Sequence, residues 1–567
     1  MTLEELSKQL KELISTYDTG WLLGDLSGLM HAGGNHTAAD QLGKLSSPQR
    51  QLYYLAGLLM TSDPRNGTDN MYDPDKWDEI VNLLNKIEQA YAAMFFPKDE
   101  VVDDHWQKVR KVAMPSFLDY FNQGPLNFEE QIINWVKDLY APLDGIVIKE
   151  TGLQTADFLQ FYANVDALHQ KNFQGVGLNG TPRANWRDYA KVQMVNTAPE
   201  PLKAMMDDTM EPVFYYMADH GIIDRFYANE LVSPELPIEK VETILNLLSA
   251  ERKQSDFLYY TAMKPGNPLY EKPIANLGDG MYQIFEVKQV IHAIESLLEK
   301  TCSKTKADTT ALVARKGNLL EDRIEELFKA LLKRDYKIFR GYYVDGCEQD
   351  LLILWKNYAF IIEAKGYNLR EPLRDPDKAF VRIKDDFRGC IGYGYDQCRR
   401  VESKFLAAQL LDICDNKGNV LETIDTSEFE DNAFSVVVNL KTFGQVQIDL
   451  SSLLEIPDES SYPWAVKLDD LETFILTLLA RGKGPKEFLN FLRMRETLHD
   501  KLICNDELQV CGAFLTGTIN QKLIDSKEVI MTTPDHGNIF DQQYRKGIGF
   551  RDEKYLIEKK SGRWLFW

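Results

Sequence analysis

The segment YAFIIEAKGYN, residues 358–368, begins as a buried strand and ends in two charged residues. Because side chains alternate along a strand, Glu363 and Lys365 share one face of it. A charge placed beside an apolar core is unfavourable by several kcal/mol unless it is paired or binds a metal ion. The segment therefore predicts a partner for the Glu363 carboxylate.

The preceding segment, QDLLILW at residues 349–355, reads as a second strand and supplies that partner. The two residues between the strands, Lys356 and Asn357, have the length of a tight hairpin turn. Counting outward from this turn pairs each residue of the first strand with the residue that faces it on the second strand. This count brings Asp350 opposite Glu363. A slip of one residue in this register would separate the two carboxylates.

The same register sets Glu348 opposite Lys365, which predicts a cross-strand ion pair there. Two directly opposed carboxylates repel each other, and a divalent cation between them converts the repulsion into coordination. We therefore predict that Asp350 and Glu363 are ligands of Mg²⁺, with Mn²⁺ as a substitute, and are not general bases. The ion would neutralise a phosphate and lower the pKa of water, while the Lys365 ammonium would stabilise charge on phosphorus.

These motifs carry a resemblance to a known family. CEQD at 347–350, followed by IIEAK at 361–365, resembles the PD-(D/E)XK nuclease superfamily, on its Mrr-like and NERD-like branch. The resemblance covers roughly residues 310–442. One departure is that Cys347 to Gln349 precede the aspartate where the name of the motif has a proline.

The resemblance also implies site residues on two helices. A glutamate in GNLLE, on the helix before the first core strand, corresponds to Glu321 and implies a third metal ligand. Glu325 lies one turn later on the same face of that helix and is the alternative. A glutamine on the helix after the catalytic strand, in YDQCRR, corresponds to Gln397. The implied catalytic set is Asp350, Glu363, Lys365, Glu321 and Gln397.

The order of predicted elements agrees with the αβββαβ core of that superfamily. The three strands read as an antiparallel meander because short turns join them. The elements are a helix over 317–334, strands over 336–344, 349–355 and 358–365, a helix over 394–413 and a strand over 433–440.

The whole chain reads as an α+β multidomain protein, with a restriction-endonuclease-like core between two helical regions. Helical spacing of apolar residues dominates the first half, as in 75–96, 127–143 and 237–253. The aromatic end RWLFW, 563–567, is predicted to dock on the body of the protein or to form a partner patch. The predicted domains are a helical amino-terminal region (1–255), a connecting segment with a short strand and helix (256–310), the nuclease core (311–450) and a helical carboxy-terminal extension (451–567).

Basic residues cluster after the catalytic strand and would suit phosphate contacts. Aromatic residues, Tyr393 among them, are interspersed with them. The alternative is that neighbouring aspartates, such as Asp385 and Asp386, pair with these residues on a solvated face. The predicted nucleic-acid-binding residues are Arg374, Arg382, Lys384, Arg388, Arg399 and Arg400.

The composition limits which binding partners and which cellular compartment we expect. The formal net charge of −21 argues against nonspecific coating of nucleic acid, although it allows a local basic groove. The seven cysteines form no CxxC pair, which favours reduced thiols over a zinc site. The first helix is amphipathic rather than a secretory signal, and no apolar run approaches the ~20 residues needed to cross a bilayer. We therefore expect a cytoplasmic protein with no membrane partner.

The function that this sequence predicts is metal-dependent endonuclease activity, with DNA as the nucleic-acid partner. The resemblance adds a role in prokaryotic restriction or anti-phage defence, in which the amino-terminal region would bind a regulatory protein or a second copy of the chain. A rival interpretation is a catalytically silent nuclease-like fold that only binds nucleic acid or a partner protein. A third is a scaffold whose site serves RNA.

Overall fold

The computed structural model describes residues 1–31, 41–96, 102–122, 127–175, 219–259, 265–367, 369–371, 373, 375–429, 432–457, 460–504 and 506–550. Contacts between residues divide the chain into two compact units. Unit 1 contains the described residues of 1–96 and 132–309, and unit 2 contains those of 97–131 and 310–562. Arg374 and the aromatic end RWLFW lie outside the described residues.

The helices are numbered along the chain. They are α1 (Leu3–Ile14), α2 (Thr19–His31), α3 (Pro48–Met60), α4 (Pro74–Ala93), α5 (Asp104–Asn122), α6 (Glu129–Tyr140), α7 (Asp144–Thr151), α8 (Thr155–Gly175), α9 (Ile238–Leu248), α10 (Val287–Thr301), α11 (Lys306–Leu332), α12 (Pro376–Phe387), α13 (Tyr393–Leu406), α14 (Gln445–Ile448), α15 (Leu468–Ala480), α16 (Pro485–Glu496), α17 (Glu507–Leu515), α18 (Gln521–Ser526) and α19 (Asn538–Tyr544).

The strands are numbered in the same way and form three sheets in the described residues. They are β1 (Arg225–Tyr227), β2 (Ser249–Glu251), β3 (Ile274–Gly278), β4 (Met281–Ile284), β5 (Tyr336–Val344), β6 (Cys347–Trp355), β7 (Tyr358–Lys365), β8 (Leu410–Cys414), β9 (Val420–Asp425), β10 (Ala433–Asn439), β11 (Trp464–Lys467), β12 (Leu502–Ile503) and β13 (Ile530–Met531).

Unit 1 combines helices with a small sheet in the order β1-β4-β3-β2. Its first helix begins at a capping box, in which Thr2 and Glu5 satisfy each other's backbone N–H groups. The predicted helix over 237–253 is shorter than expected, because it ends at Leu248 and Ser249–Glu251 forms β2 beside β3. The Pro- and Gly-rich stretch before Met281 also contains a strand, β3, which pairs with β4 in an antiparallel hairpin.

Unit 2 contains a seven-stranded sheet in the order β11-β10-β7-β6-β5-β8-β9. The predicted antiparallel meander is confirmed, because β6 pairs antiparallel with both β5 and β7. Strand β10 lies parallel to β7, and β11 lies parallel to β10 on the outside of the sheet. The α+β class is therefore correct.

Two predictions for this unit were wrong in part. The helix expected over 394–413 ends at Leu406, and Leu410–Cys414 forms strand β8 in a hairpin with β9. The extension after residue 451 is not purely helical, because its residues 464–467 complete the sheet as β11. The polypeptide after the catalytic strand therefore contributes more sheet than its apolar spacing indicated.

The predicted register between β6 and β7 is confirmed along the ladder. Trp355 pairs with Tyr358, Leu352 pairs with Ile361, and the last backbone pair is Leu351 with Ile362. The next position along each strand is occupied by Asp350 and Glu363. These two residues therefore lie side by side where the ladder ends.

Helices cover both faces of the large sheet. On one face Phe328 of α11 packs edge-on against Phe360 of β7, with ring centroids 5.2 Å apart. On the opposite face Cys398 and Phe405 of α13 share a buried cluster with Ile361 of β7. Sheet strands buried on both faces are rich in apolar residues, which explains the continuous run that precedes Glu363.

Gly341 breaks the alternation of side chains in β5. Its φ of 57° lies in the left-handed region, which a residue with a Cβ adopts only under strain. Arg340 before it reaches α11, whereas Tyr342 after it packs in the buried cluster below α13. Because of this glycine, Arg340 and Tyr342 lie on opposite faces of the sheet, although they are two positions apart.

The four domains predicted from the sequence remain a prediction. Contacts group helix α5, at Asp104–Asn122, with unit 2, although the predicted boundary assigned it to the amino-terminal region. They group β3, β4 and α10 with unit 1 rather than with a separate connecting segment. In the part of the chain that the structure describes, no helix has the length and apolar character to cross a membrane.

Candidate active site

Asp350, Glu363 and Lys365 meet where β6 begins and β7 ends. The backbone N–H of Asp350 donates to Glu363 Oε1 at 3.2 Å, and the N–H of Ala364 donates to Asp350 Oδ2 at 2.7 Å. These two bonds replace the regular ladder at the ends of the strands. These hydrogen bonds hold both carboxylates against the backbone. The positions of the carboxylates are therefore determined by these bonds as well as by the side-chain rotamers.

Lys365 bridges the two carboxylates. Its Nζ donates to Glu363 Oε2 at 2.7 Å and to Asp350 Oδ2 at 3.3 Å. The predicted pairing of Lys365 with Glu348 is therefore wrong, because the ladder ends three positions earlier, at Leu351 and Ile362, and Lys365 contacts the nearer acids. Glu348 instead accepts a hydrogen bond from the Tyr343 hydroxyl at 3.2 Å.

The electrostatics of this group reflect deep burial. The Glu363 side chain is only 1% exposed. Burial, opposed by Lys365 and reinforced by Asp350, raises the pKa of Glu363 to about 8. Burial alone would lower the pKa of Lys365, but the two carboxylates raise it, so the ammonium is retained. The site therefore holds one firm positive charge against two acids that repel each other.

Glu321 approaches this pair from α11 but is engaged elsewhere. Burial and, after it, the charge of Asp350 raise the pKa of Glu321. Glu321 Oε2 accepts from Arg340 Nε at 2.9 Å. The same guanidinium pairs with Asp322, lies 3.7 Å from Glu325 and donates to the Asn318 carbonyl.

A divalent cation fits the donor set of the first two acids. Asp350 and Glu363 offer hard oxygen donors whose mutual repulsion a cation would relieve, and Mg²⁺ is commonly held by one or two carboxylates together with phosphate oxygens and water. Within the described ranges, no group of three His, Cys, Asp or Glu side chains is placed to hold a metal ion. Glu321, the predicted third ligand, is paired with Arg340 instead.

Gln397 and Tyr342 each carry a buried polar atom that has no hydrogen-bond partner among the described residues. Gln397 on α13 donates from Nε2 to the Glu348 carbonyl at 3.3 Å, while its Oε1 has no hydrogen-bond partner in the described structure. The Tyr342 hydroxyl is also buried and, among the described residues, unpartnered. Burial and then Glu363 raise the pKa of Tyr342 well above its ordinary value, so its hydroxyl keeps its proton. Such atoms are commonly satisfied by ordered water.

Helix α13 begins directly against the lysine. A Cβ on Gly394 would lie 2.9 Å from Val437 Cγ1 and 3.1 Å from Lys365 Cε, so only glycine allows this approach. The neighbouring Tyr393 is 57% exposed, and its ring centroid lies 5.6 Å from Lys365 Nζ. An exposed aromatic ring therefore stands at the mouth of the site.

The predicted nucleic-acid-binding residues differ in their surroundings. Arg382 donates to the Glu371 carbonyl at 2.9 Å, and Arg374 lies outside the described residues. Arg370 and Lys404, which are also basic, are engaged by Asp386 and Asp345 respectively. Over the described ranges, four of the predicted set form no ion pair, namely Lys384, Arg388, Arg399 and Arg400.

Arg340, Tyr342 and Gly394 belong to this site and were missed from the sequence. Tyr342 and Arg340 were missed because the break at Gly341 has no signal in the alternation of the strand. A glycine next to an aromatic residue in GYGYDQ was a signal that could have marked the close approach of the helix.

One comparison with known proteins concerns this part of the chain. Residues 316–423 match the model of the family described as NERD, nuclease-related domain. The matched range begins in α11, ends in β9 and contains all five predicted catalytic residues. The chain therefore carries a nuclease-related domain of the NERD-like kind that the sequence resembles. No curated protein matches this chain, and no solved structure matches it either.

Proposed function

We propose that this protein is a Mg²⁺-dependent endonuclease that hydrolyses phosphodiester bonds in DNA, with Mn²⁺ able to replace Mg²⁺. One observation carries the proposal. Lys365 Nζ lies within hydrogen-bonding distance of two carboxylates, Asp350 and Glu363, that neighbouring strands bring to one point. The match of this segment to the nuclease-related domain supports it.

Asp350 and Glu363 would hold the cation. Once bound, the ion would neutralise phosphate charge and lower the pKa of the attacking water. Lys365 would exchange its contacts with the two acids for the scissile phosphate and stabilise the negative charge that develops on the phosphoryl oxygens. Its pKa is raised at this position, so the ammonium is charged when the phosphate arrives.

Gln397 and Tyr342 would position water in this reaction. The unpartnered Oε1 of Gln397 can accept a hydrogen bond from a water molecule, and the Tyr342 hydroxyl can donate one to it. Neither group changes its protonation state in this account. Both groups therefore act by orienting the water molecule for attack on the phosphate.

Arg340 controls whether Glu321 can join the site. Replacing Arg340 with Gln is expected to free Glu321 and to tighten binding of Mn²⁺ about 3- to 10-fold, because a larger fraction of molecules can then offer a third carboxylate. Isothermal titration of Mn²⁺ into the full-length variant, without nucleic acid, measures this affinity.

Lys329→Gln is the matched control for that titration. Lys329 pairs with Glu325 on the same helix, so its removal takes away one nearby positive charge without freeing Glu321. Its affinity for Mn²⁺ should stay within about twofold of wild type, because an exposed ion pair of this kind contributes little. Equal affinities in wild type and Arg340→Gln would show that Glu321 is not a reserve ligand.

The proposed activity is tested directly with the purified full-length chain. Supercoiled plasmid, linear duplex, single-stranded DNA and RNA are incubated with Mg²⁺, Mn²⁺ or EDTA. We expect internal cleavage of DNA with either ion and none in EDTA. Lys337→Ala, which breaks an ion pair with Glu422 on the same sheet, should leave the rate unchanged. Cleavage that persists in EDTA, or an intact set of substrates under every condition, would contradict the proposal.

A second candidate function is binding of nucleic acid or a partner protein without catalysis. The contact of Lys365 with both carboxylates favours it, because the ammonium already neutralises the acids that a cation would need. Under this alternative, Asp350→Asn and Lys365→Ala would leave the biological activity intact. The nuclease proposal requires that activity to be lost while the protein still folds.

We place the nuclease in prokaryotic restriction or anti-phage defence, with unit 1 as the part that binds a regulatory partner or a second copy. The support is the resemblance to Mrr-like enzymes and the presence of a separate compact unit with its own sheet. Plaque counts on cells that express wild type or Lys365→Ala test this role. Protection by wild type alone is the expected result, and equal protection by both proteins would contradict it.

A further inference from the structure

Helices α12 and α13 form one continuous helical rod. The five residues between them, Arg388–Gly392, form a π-helical turn, and both of its end residues have right-handed helical backbone angles. The backbone N–H of Tyr393 donates to the Arg388 carbonyl, five residues earlier. This turn therefore places Tyr393 one turn above Arg388, where a regular α-helix would place Gly392.

The π-helical turn aligns four side chains along the rod, which we call the Tyr393 row. Lys384 lies one turn before Arg388, Tyr393 one turn after it, and Arg400 two turns beyond Tyr393. At 1.5 Å per residue, and less in the wider π-helical turn, Arg388 and Arg400 are at most about 18 Å apart along the axis. The row thus has an aromatic ring with positive charge on both sides.

The charges of the Tyr393 row are free to contact phosphate. In the described part of the chain, Lys384, Arg388 and Arg400 have no acidic partner, and the first two are exposed. Asp396 is also exposed one turn after Tyr393, so the row is not an unbroken basic stripe. Charge alone is therefore a weak source of affinity for a protein with a net charge of −21.

The ring of Tyr393 supplies a second source of affinity, which is stacking with a base. It lies beside the Lys365 ammonium, so a nucleotide whose phosphate reaches Lys365 brings its base within reach of the ring. A base inside a duplex is already paired and stacked on its neighbours. An unpaired base can leave its neighbours and stack on an aromatic side chain, and such stacking is the common way in which proteins hold single strands.

We propose that this site takes a single nucleic-acid strand, with an unpaired base stacked on Tyr393 next to the scissile phosphate and with the backbone following the Tyr393 row. This inference rests on the proposed function, because it takes Lys365 as the group that meets the scissile phosphate. It specifies the substrate further, as a single strand rather than a duplex.

Binding in EDTA tests the inference without cleavage. Fluorescence anisotropy is measured with labelled 20-residue oligonucleotides of DNA, as single strands and as duplex, and with a single strand of RNA. Wild type is expected to bind the single DNA strand at least tenfold more tightly than the duplex. Tyr393→Leu is expected to weaken single-strand binding about tenfold or more, whereas Tyr393→Trp keeps the stacking surface and should retain it.

A fluorescent base gives a signature that a merely structural role of Tyr393 would not produce. A single strand carrying 2-aminopurine should change its fluorescence when wild type binds, and Tyr393→Leu at saturating concentration should not show that change. Tyr72→Leu is the matched control, since Tyr72 is an aromatic residue of unit 1 that is 50% exposed. Its affinity and fluorescence signal should equal those of wild type.

Several outcomes would overturn the inference: duplex bound as tightly as the single strand, no binding of any strand, or less than a twofold effect of Tyr393→Leu. Equal binding of RNA supports the stacked strand and shows that the sugar is not read.

Cleavage in Mg²⁺ separates this inference from the proposed function. Strands bound through Tyr393 but never cut would contradict hydrolysis alone, and duplex cut without any dependence on Tyr393 would contradict the stacking alone.

Discussion

Replacing Lys365 with alanine is expected to reduce cleavage of DNA about 10³-fold, measured in Mg²⁺ as the initial rate on the DNA substrate, single-stranded or duplex, that wild type cleaves fastest. The ammonium contacts both Asp350 and Glu363, and removal of a single preorganised charge or donor from a reacting centre commonly has an effect of about this size. The fold should survive, because Glu363 can take up a proton when its cationic partner is lost.

Metal binding distinguishes this variant from one that has lost the site. Lys365→Ala removes an ammonium that competes with the cation for the same carboxylates, so its affinity for Mn²⁺ should equal or exceed that of wild type. Lys365→Arg keeps the charge but changes its shape, and we expect partial activity from it. A cleavage rate for Lys365→Ala within about threefold of wild type would remove the lysine from the mechanism.

Replacing Glu363 with glutamine is expected to abolish both cleavage and binding of Mn²⁺, because the amide carries no negative charge. Its effect on stability depends on pH. Glu363 has a folded pKa of about 8 against an ordinary value of 4.5, so between these values the folded protein holds a proton that the unfolded chain has released. The stability of wild type therefore falls as pH rises through this window.

Glutamine resembles the protonated acid and does not titrate, so the variant should lack this loss. In urea unfolding, Glu363→Gln and wild type should be similar in stability at pH 5.5. At pH 8.5 the variant should be more stable by on the order of 2 kcal/mol. The pKa values of Glu402 and Glu496 are also raised by burial, to about 7 and about 8, but both residues are present in the two proteins and cancel in the difference. A difference that does not change with pH would contradict this assignment.

The sequence determines the register of the central hairpin because two independent features agree. The apolar runs fix which residues are buried, and the two residues Lys356 and Asn357 fix the turn. Counting from the turn then places Asp350 beside Glu363. The prediction failed only beyond the end of the ladder, at Lys365, where side-chain contacts rather than backbone pairing decide the geometry.

Other parts of the fold depend on contacts that no local pattern contains. The strand at Leu410–Cys414 was predicted as helix, because apolar residues continue at helical spacing from the preceding segment. Leu411 and Ile413 are buried while Leu410 is exposed, so the alternation of a strand is present but covers too few residues to outweigh that spacing.

The site shows the same limit. The acids of β6 and β7 could be predicted from spacing, but the contact of Arg340 with Glu321 joins elements that only the folded sheet brings together. The π-helical turn before Tyr393 adds one residue to a helical repeat, and nothing in the helical spacing of apolar residues marks such an insertion.

Crystals of the full-length chain grown or soaked with Mn²⁺ test the central claim most directly, through the anomalous scattering of the ion. We expect one strong anomalous peak about 2.0–2.3 Å from carboxylate oxygens of both Asp350 and Glu363. Lys365 Nζ should then have moved off these oxygens toward the open mouth of the site. A peak elsewhere in the molecule, or no peak between these acids at saturating Mn²⁺ while Lys365 still bridges them, would contradict the account.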